Sequence, residues 1–280
     1  MTYHSLETAD RRRHFYLDDG AGAPVILLHC SSGSSSAWTA VIHGLGRGYR
    51  TLAPDLLGYG RNSPWPRCAD LGPDSELAIV DSLLDACGEP AHLVGHSYGG
   101  TVALNAVRRS PRRVASLTLI EPVAFPLLRD ADELNDWREV AALAEQHIAL
   151  TAQGHDIEAS RAFITYWMGS AAWQQMPEAM RDSIVQTIPK VAAEWRLMFA
   201  LHDDLDTIAG IHTPTLLICG GRTRKPARRV MEKIRSALPE AHYLEIPDAG
   251  HMSPLSHPAE VADAIRAHID SVPRWHRPAA

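Results

Sequence analysis

The sequence predicts an α/β fold in which a mostly parallel sheet is flanked by helices. Short apolar runs alternate along the chain with helix-like segments, which is the rhythm of βαβ construction. The runs are continuous in Val, Ile and Leu, as expected of parallel strands that are buried on both faces. Six runs carry this prediction: residues 24–29, 49–54, 91–96, 114–120, 214–219 and 241–246.

Helices and one further strand complete the predicted core. Pro73 and Pro258 stand near helix starts, where proline is tolerated because the N–H groups of the first turn have no partner within the helix. The segment 12–18, RRHFYLD, is predicted to be the first strand and an antiparallel edge of the sheet. The expected helices span residues 74–87, 98–109, 226–237 and 258–270.

The alternation of strands and helices is interrupted between residues 122 and 211. This region reads as several helices, contains no run typical of a parallel strand, and carries Trp137, Trp167, Trp173 and Trp195. We therefore expect residues 1–121 and 212–280 to form the core, with 122–211 inserted as a helical cap over the carboxyl edge of the sheet. The aromatic rings would then form either the core of the cap itself or part of a pocket.

Composition narrows the class of protein. The 280 residues carry a formal net charge of -6, so neither nucleic acid nor an anionic membrane is favoured as a partner. No window approaches the roughly 20 apolar residues of a membrane-spanning helix, and no secretory leader is visible at the N-terminus. The four cysteines lack C-x-x-C spacing, so we expect reduced thiols, no metal site and a cytoplasmic protein. We expect no cofactor, and the sequence leaves the oligomeric state open.

The segment LVGHSYGG, residues 93–100, indicates a nucleophile. Gly95, Ser97 and Gly99 fit the pattern G-x-S-x-G between an apolar strand and a helix. A serine on such a sharp turn takes a strained backbone conformation, and glycine on either side leaves room for the turn to close. The serine hydroxyl is then exposed above the sheet, beside the N–H groups at the start of the following helix. A tight turn with an idle serine is the structural alternative.

Four motifs together resemble the α/β-hydrolase family with a helical cap. They are LLHCSSGSSSAW (27–38), PDLLGYGRNS (54–63), GHSYGG (95–100) and PDAGHMSPLSHP (247–258). The resemblance implies an eight-stranded, mostly parallel sheet. It also implies that the backbone N–H groups of Ser31 and Tyr98 form an oxyanion hole. Cys30 departs from the family pattern, because it occupies the usual glycine position; it is either a packing residue or a site of sensitivity to thiol reagents.

The resemblance places the general base at His251. His29, His96 and His257 are weaker alternatives, because the first belongs to the oxyanion loop, the second points away from the elbow and the third is expected to face solvent. A base is needed because a serine hydroxyl is a poor nucleophile until its proton is taken.

The third member of the triad is missing from its usual place. The family commonly carries an aspartate just after strand 7, where this chain has Thr223. Glu121 directly follows the run 114–120, and some haloalkane dehalogenases of this fold place their acid at that strand end. We therefore predict Glu121 as the acid. Alternatives left open are an acid elsewhere (Asp203, Asp204, Asp206 or Asp248) and a structural Glu121 that caps a helix or pairs with an arginine such as Arg222.

A serine nucleophile favours acyl transfer. The sequence therefore predicts a serine hydrolase for small-molecule carboxylic esters or lactones, acting through an acyl-enzyme. Two alternatives remain: a hydrolase of C–C bonds in ring-cleavage products, and a non-catalytic ligand-binding scaffold of the same fold. The residues expected to line the substrate pocket are His29, Cys30, Phe163, Trp167 and Trp195.

Overall fold

A computed structural model describes residues 1–8, 11–67, 69–129, 134–201 and 204–273. It contains an eight-stranded sheet with the strand order β1-β2-β4-β3-β5-β6-β7-β8. Strand β2 is antiparallel to both β1 and β4, and all pairings from β4 through to β8 are parallel. The prediction of a mostly parallel eight-stranded sheet is therefore confirmed. The strands are β1 Thr2–Glu7, β2 Arg13–Gly20, β3 Gly22–Leu28, β4 Gly48–Pro54, β5 Ala91–His96, β6 Val114–Ile120, β7 Thr215–Gly220 and β8 His242–Ile246.

Helices cover both faces of the sheet and fill the interval between β6 and β7. Short 3-10 helices occur at Ser35–Trp38, Pro111–Arg113 and Phe125–Arg129. No helix among the described residues is long and apolar enough to cross a membrane. The α-helices are α1 Thr39–Leu45, α2 Leu77–Cys87, α3 Tyr98–Arg109, α4 Leu134–Ala152, α5 Asp156–Met168, α6 Ala172–Gln175, α7 Glu178–Ala200, α8 Leu205–Ala209, α9 Lys225–Ala237, α10 Ser253–Ser256 and α11 Pro258–Ser271.

The prediction for the first strand is wrong in one respect. Segment 12–18 does form an antiparallel strand, β2, but β1 precedes it in the chain and covers its outer side. Strand β1 was missed because its six residues, TYHSLE, are exposed or only half-buried. An edge strand of this kind has no continuous apolar run to indicate it.

Alternation within the central strands divides the core between the two faces of the sheet. In β3, Val25 and Leu27 pack with residues of α1 and α11 on one face. Ile26 and Leu28 pack on the other face with residues of α2, α3 and α9 and of the helices between β6 and β7. This division follows from the two-residue period of a strand, and it produces the continuous apolar runs seen in the sequence.

Helices α4 to α8, here called the insert, lie between β6 and β7. No strand occurs there among the described residues 134–201 and 204–209. Trp173 and Trp195 are buried in the same apolar cluster as the central strands, and Trp137 and Trp167 pack partly buried against it. The insert and the core therefore share one apolar cluster. The boundaries 122–211 for a separate cap stay a prediction.

Candidate active site

The elbow after β5 holds Ser97 in a strained backbone conformation. Its φ and ψ are 56° and -119°, a region that residues other than glycine rarely adopt. A Cβ on Gly95 would lie 2.3 Å from the carbonyl oxygen of Gly99, and a Cβ on Gly99 would lie 2.3 Å from that of Leu28. Both glycines are therefore required by close backbone contacts, as the sequence predicted.

Ser97, His251 and Glu121 form one continuous chain of hydrogen bonds. The Ser97 Oγ lies 2.9 Å from His251 Nε2, and His251 Nδ1 lies 2.7 Å from Glu121 Oε2. Ser97 follows β5, Glu121 follows β6, and His251 lies in the loop after β8, so the carboxyl ends of three parallel strands bring the three side chains together. All three residues are buried, and Glu121 is fully so.

Glu121 accepts two further hydrogen bonds that fix it as a carboxylate. The Gly220 N–H donates to Oε1 at 2.7 Å, and the Thr223 hydroxyl donates to Oε2 at 2.5 Å. Burial acts to raise the pKa of Glu121, but the hydrogen bond and charge of His251, with the bonds from Thr223 and Gly220, outweigh it and leave the pKa below its usual value. Thr223, at the usual aspartate position of the family, thus donates a hydrogen bond to the carboxylate that follows β6.

The other carboxylates considered from the sequence have different partners. Asp204 accepts the N–H of Thr207 at the start of α8, and Asp248 forms an ion pair with Arg222. Asp206 lies in the first turn of α8. Asp203 lies outside the described residues. Arg222 is therefore engaged away from Glu121, and the carboxylate hydrogen-bonded to His251 is Glu121.

The two segments predicted to supply oxyanion N–H groups are adjacent. Tyr98 is the first residue of α3, so its N–H is among those left unpaired at a helix start. Ser31 follows β3, and the start of α3 packs directly on the end of β3, since a Cβ on Gly99 would lie 2.3 Å from the Leu28 carbonyl oxygen and 2.5 Å from that of His29. The two segments therefore lie side by side next to Ser97, and the oxyanion hole formed by Ser31 and Tyr98 stays a prediction.

Two rings support His251 through contacts that the sequence did not predict, although it placed Trp167 in the pocket and considered His96 as an alternative base. The His96 Nε2–H donates to the His251 carbonyl oxygen at 2.8 Å, and it thereby holds the loop that carries His251. The Trp167 ring, from α5 in the insert, stacks on the His251 ring with 3.9 Å between centroids. Neither contact has a local sequence signal, because each joins segments that are distant in the chain.

Ser97 and His251 open onto a cavity of about 510 Å³. One part of its wall is apolar and comes mainly from α5 and the start of α7, and another part is polar but uncharged. No lysine or arginine occurs among the described residues that line it. The apolar wall is Phe163, Ile164, Trp167, Met168, Met176, Met180, Ile184, Met252 and Leu255, and the polar wall includes Ser31, Ser32, Ser34, Ser36, Asn62, Ser183, Gln186 and Thr187.

Three of the five predicted pocket residues line this cavity: Cys30, Phe163 and Trp167. The other two do not. His29 is buried and uses both ring nitrogens, donating from Nδ1 to the Cys30 carbonyl and accepting the Leu56 N–H at Nε2. Trp195 is 2% exposed and packs in the core against Phe125. Burial raises the pKa of the Cys30 thiol to about 12, which favours the packing interpretation of Cys30.

A second hollow, of about 830 Å³, lies at the opposite end of the strands. Its wall includes Gly22 and Gly48, where β3 and β4 begin, together with His92 and Asp270. It is remote from the Ser97 site, because the triad lies at the carboxyl ends of the strands. No group of three or more metal-ligating side chains occurs anywhere in the described parts of the chain.

Fold and site together define the class of this protein: a serine on a strand-to-helix elbow of a mostly parallel eight-stranded sheet is the arrangement of an α/β hydrolase. Residues 25–264 match the model of the alpha/beta hydrolase family, and the chain belongs to that family.

Relatives within the family carry different activities. The dihydrolipoyllysine-residue acetyltransferase component of the acetoin cleaving system of Pseudomonas putida is 29% identical over 92% of this chain, which spans 66% of that protein. Lipase LipV of Mycobacterium tuberculosis is 29% identical, with 88% of this chain and 93% of the lipase covered. The 2-hydroxymuconate semialdehyde hydrolase of a Pseudomonas species is 37% identical over 41% of this chain and 42% of that protein. The crystal structure of a hydrolase from Pseudomonas aeruginosa PA01 has a TM-score of 0.81 and 24% identity, and the match covers 96% of this chain and 98% of that one.

Proposed function

We propose that this protein is a serine hydrolase that cleaves uncharged carboxylic esters or lactones through an acyl-enzyme. Ser97 is the nucleophile, His251 the general base and Glu121 the acid of the triad. The observation that carries the proposal is the continuous hydrogen-bonded chain from the Ser97 hydroxyl through His251 to Glu121, opening onto a cavity.

Each residue has a defined part in the first half of the reaction. With the Nδ1 proton directed at Glu121, Nε2 of His251 accepts the Ser97 proton while Oγ bonds to the ester carbonyl carbon. The negative charge on the carbonyl oxygen is stabilised by the N–H groups of Ser31 and Tyr98. The C–O bond to the alcohol then breaks, the leaving oxygen takes the proton from His251, and the acyl group remains on Ser97.

Water completes the cycle by the same route. His251 takes a proton from a water molecule, whose oxygen attacks the acyl carbon, and the acid leaves as the proton returns to Ser97. Glu121 stays ionised throughout, and its role is to orient the imidazole and to stabilise the imidazolium that forms twice in each turnover. The lowered pKa of Glu121 suits this role, because it keeps the carboxylate charged at neutral pH.

The cavity wall supports esters over the C–C bond alternative. Ring-cleavage products that bear a carboxylate call for a cationic side chain, and the described cavity wall holds neither lysine nor arginine. The apolar wall fits a hydrocarbon acyl or alcohol group, while the hydroxyl and amide groups opposite fit an uncharged polar part. The lipase relative supports the same choice.

Hydrolysis of p-nitrophenyl esters tests this proposal and the scaffold alternative together. We expect a burst of p-nitrophenol that is stoichiometric with protein, followed by steady turnover. Ser97→Ala should abolish both at unchanged melting temperature. Faster cleavage of a vinylogous 1,5-diketone acid than of any ester in a chain-length series would favour the C–C alternative. No burst, no turnover and no labelling by a fluorophosphonate would leave only the scaffold.

A further inference from the structure

A second buried charged cluster lies apart from the triad. It consists of Glu76, just before α2, and of Lys190 and Glu194, one turn apart on α7. The Lys190 Nζ donates to Glu76 Oε1 at 2.8 Å and to Glu194 Oε1 at 2.9 Å. The three side chains are at most 2% exposed. Removing each charge from water is expected to cost several kcal/mol, so the cluster calls for an explanation.

The two carboxylates of the cluster bind the side chains of the two residues assigned to the oxyanion hole. The Ser31 hydroxyl donates to Glu194 Oε2 at 2.5 Å. The Tyr98 hydroxyl approaches Glu76 Oε1 at 3.4 Å. Lys190 lies between them, because its ammonium group binds both carboxylates and also sits 4.9 Å from the centroid of the Tyr98 ring.

Further donors hold the cluster to the same end of the sheet. The Tyr59 hydroxyl donates to Glu194 Oε1 at 2.6 Å, and the Leu57 N–H donates to Glu76 Oε2 at 3.0 Å. Each carboxylate thus has three donors, which leaves little freedom for either to turn. Ser31 and Tyr98 come from different segments, the loop after β3 and the start of α3, and the cluster joins both to α7 of the insert.

We propose that this buried cluster is a positioning unit for the oxyanion hole. It fixes the relative placement of Ser31 and Tyr98, and it makes that placement depend on how α7 is seated against the core. This inference rests on the proposed function, since it assumes that Ser31 and Tyr98 hold the charge that develops on an ester carbonyl. Glu76, Lys190 and Glu194 act through those two residues and do not touch the reacting atoms.

Placement matters at this site because oxyanion donors act mainly in the transition state. Losing one such donor outright lowers kcat by about 10²- to 10³-fold. A donor that is displaced but still present should lose part of that effect, so we expect about a 10-fold fall in kcat when the cluster is disturbed. KM should change little, because the ground-state carbonyl depends weakly on these groups.

Glu194→Gln is the first test, because the amide keeps the size of the side chain but loses the charge. The matched control is Asp136→Asn. Asp136, on α4, is nearly buried and forms an ion pair with Lys225 of α9 at 3.0 Å, so it also ties the insert to the core, but it contacts neither Ser31 nor Tyr98. Both variants should lower the melting temperature. Only Glu194→Gln should lower kcat on a p-nitrophenyl ester by about 10-fold, with KM within about twofold and the acid limb of the pH profile unchanged.

A double-mutant cycle with Ser31→Ala provides the second readout. Ser31→Ala keeps the backbone N–H but loses the hydroxyl that donates to Glu194. If Glu194→Gln fails to fold, Ser31→Ala alone should still lower kcat by about 10-fold, and kcat within twofold of wild type for Ser31→Ala would then overturn the inference. If Glu194 acts through Ser31, the double variant should be no slower than the slower single variant.

Given esterase activity in the wild type, any one of three results would overturn the inference. The first is a kcat of Glu194→Gln within twofold of wild type. The second is an equal loss of kcat in Glu194→Gln and Asp136→Asn, and the third is full additivity of the two substitutions in the double-mutant cycle. A wild-type protein without ester turnover would instead remove the proposed function, and the inference with it.

Discussion

The triad and the buried cluster differ in how they accommodate carboxylates away from water. In the proposed triad, Glu121 is held by a histidine, a threonine and a backbone N–H, and the proposed mechanism places a positive charge on the imidazole alone. In the cluster, two carboxylates share one permanently charged lysine. The first arrangement leaves an imidazole that can gain and lose a proton. The second has no comparable freedom, which suits it to holding structure.

A buried ionisable group need not be catalytic. Burial raises the pKa of Glu194 above its usual value even though Lys190, Ser31 and Tyr59 act to lower it. The pKa of Glu121 instead falls below its usual value. The carboxylate that the proposed mechanism requires to stay charged is therefore the one whose hydrogen bonds overcome desolvation.

The largest expected effect is on the acid of the triad. Glu121→Gln should lower kcat by up to ~10⁴-fold, because the amide cannot stabilise the imidazolium and favours the wrong tautomer of His251. Steady-state ester hydrolysis measures it, with a melting curve to show that the protein remains folded. Asp248→Asn is the control, because Asp248 is exposed and paired with Arg222, and it should leave kcat unchanged. A large loss of kcat in Asp248→Asn, with kcat unchanged in Glu121→Gln, would identify Asp248 in the loop after β8 as the acid.

Next in size is the loss of the cation from the buried cluster. Lys190→Met should destabilise the protein by about 3–5 kcal/mol, because two buried carboxylates lose their shared counter-charge. Urea unfolding at pH 7 measures this. Lys225→Met removes a 65%-exposed lysine that also pairs with a carboxylate, and it should cost about 1 kcal/mol or less. Equal losses in the two variants would contradict a special role for burial.

A smaller effect is expected at Thr223, which stands at the usual aspartate position of the family and donates to Glu121. Thr223→Val removes a donor to Glu121 and leaves the His251 contact in place. We expect kcat to fall by roughly 10-fold, which corresponds to about 1.4 kcal/mol and is slightly less than the ~1.5–3 kcal/mol of a hydrogen bond to a charged group. Thr223→Ser keeps the hydroxyl and should restore most of the rate. If Thr223→Val and Thr223→Ser have the same kcat, the Thr223 hydroxyl has no part in orienting Glu121.

Much of the fold and of the triad could be predicted because their signals are local. Each member of the triad follows a strand, and the strands are visible as apolar runs. The two glycines on either side of Ser97 predict its strained turn. The threonine at the usual aspartate position, Thr223, indicates that the acid lies elsewhere and so favours Glu121. Fold class and the parallel core were confirmed on this basis, whereas the count of eight strands came from the family resemblance, because the apolar runs did not indicate β1.

The buried cluster could not be predicted because its signal is not local. Lys190 and Glu194 are four residues apart on a helix, which is the spacing of an ordinary solvent-exposed ion pair. Their partner Glu76 lies 114 residues away from Lys190 in the chain. The burial of Trp195 and His29 was missed for the same reason, since packing between distant segments decides which rings face a cavity and which face the core.

A further prediction concerns stability in acid. Burial lowers the pKa of His147 to about 4, so below pH 6.5 the unfolded chain binds a proton there that the folded chain does not. Stability should therefore decline as the pH falls from about 6.5 to 4, with this residue contributing about 1.4 kcal/mol per pH unit at most. His147→Leu should flatten the decline by about one proton, measured as urea midpoints across that range. An unchanged slope would show that His147 takes up its proton while folded.

The rate at which a fluorophosphonate labels Ser97 shows whether Glu121 activates this hydroxyl through His251. Mass spectrometry of the intact protein follows the labelling. The labelling rate reports the nucleophilicity of one hydroxyl without requiring the natural substrate. Coupling of that hydroxyl through His251 to Glu121 predicts rapid labelling of the wild type and of Asp248→Asn, and labelling of Glu121→Gln that is slower by orders of magnitude. Equal labelling rates in all three proteins would contradict the coupling.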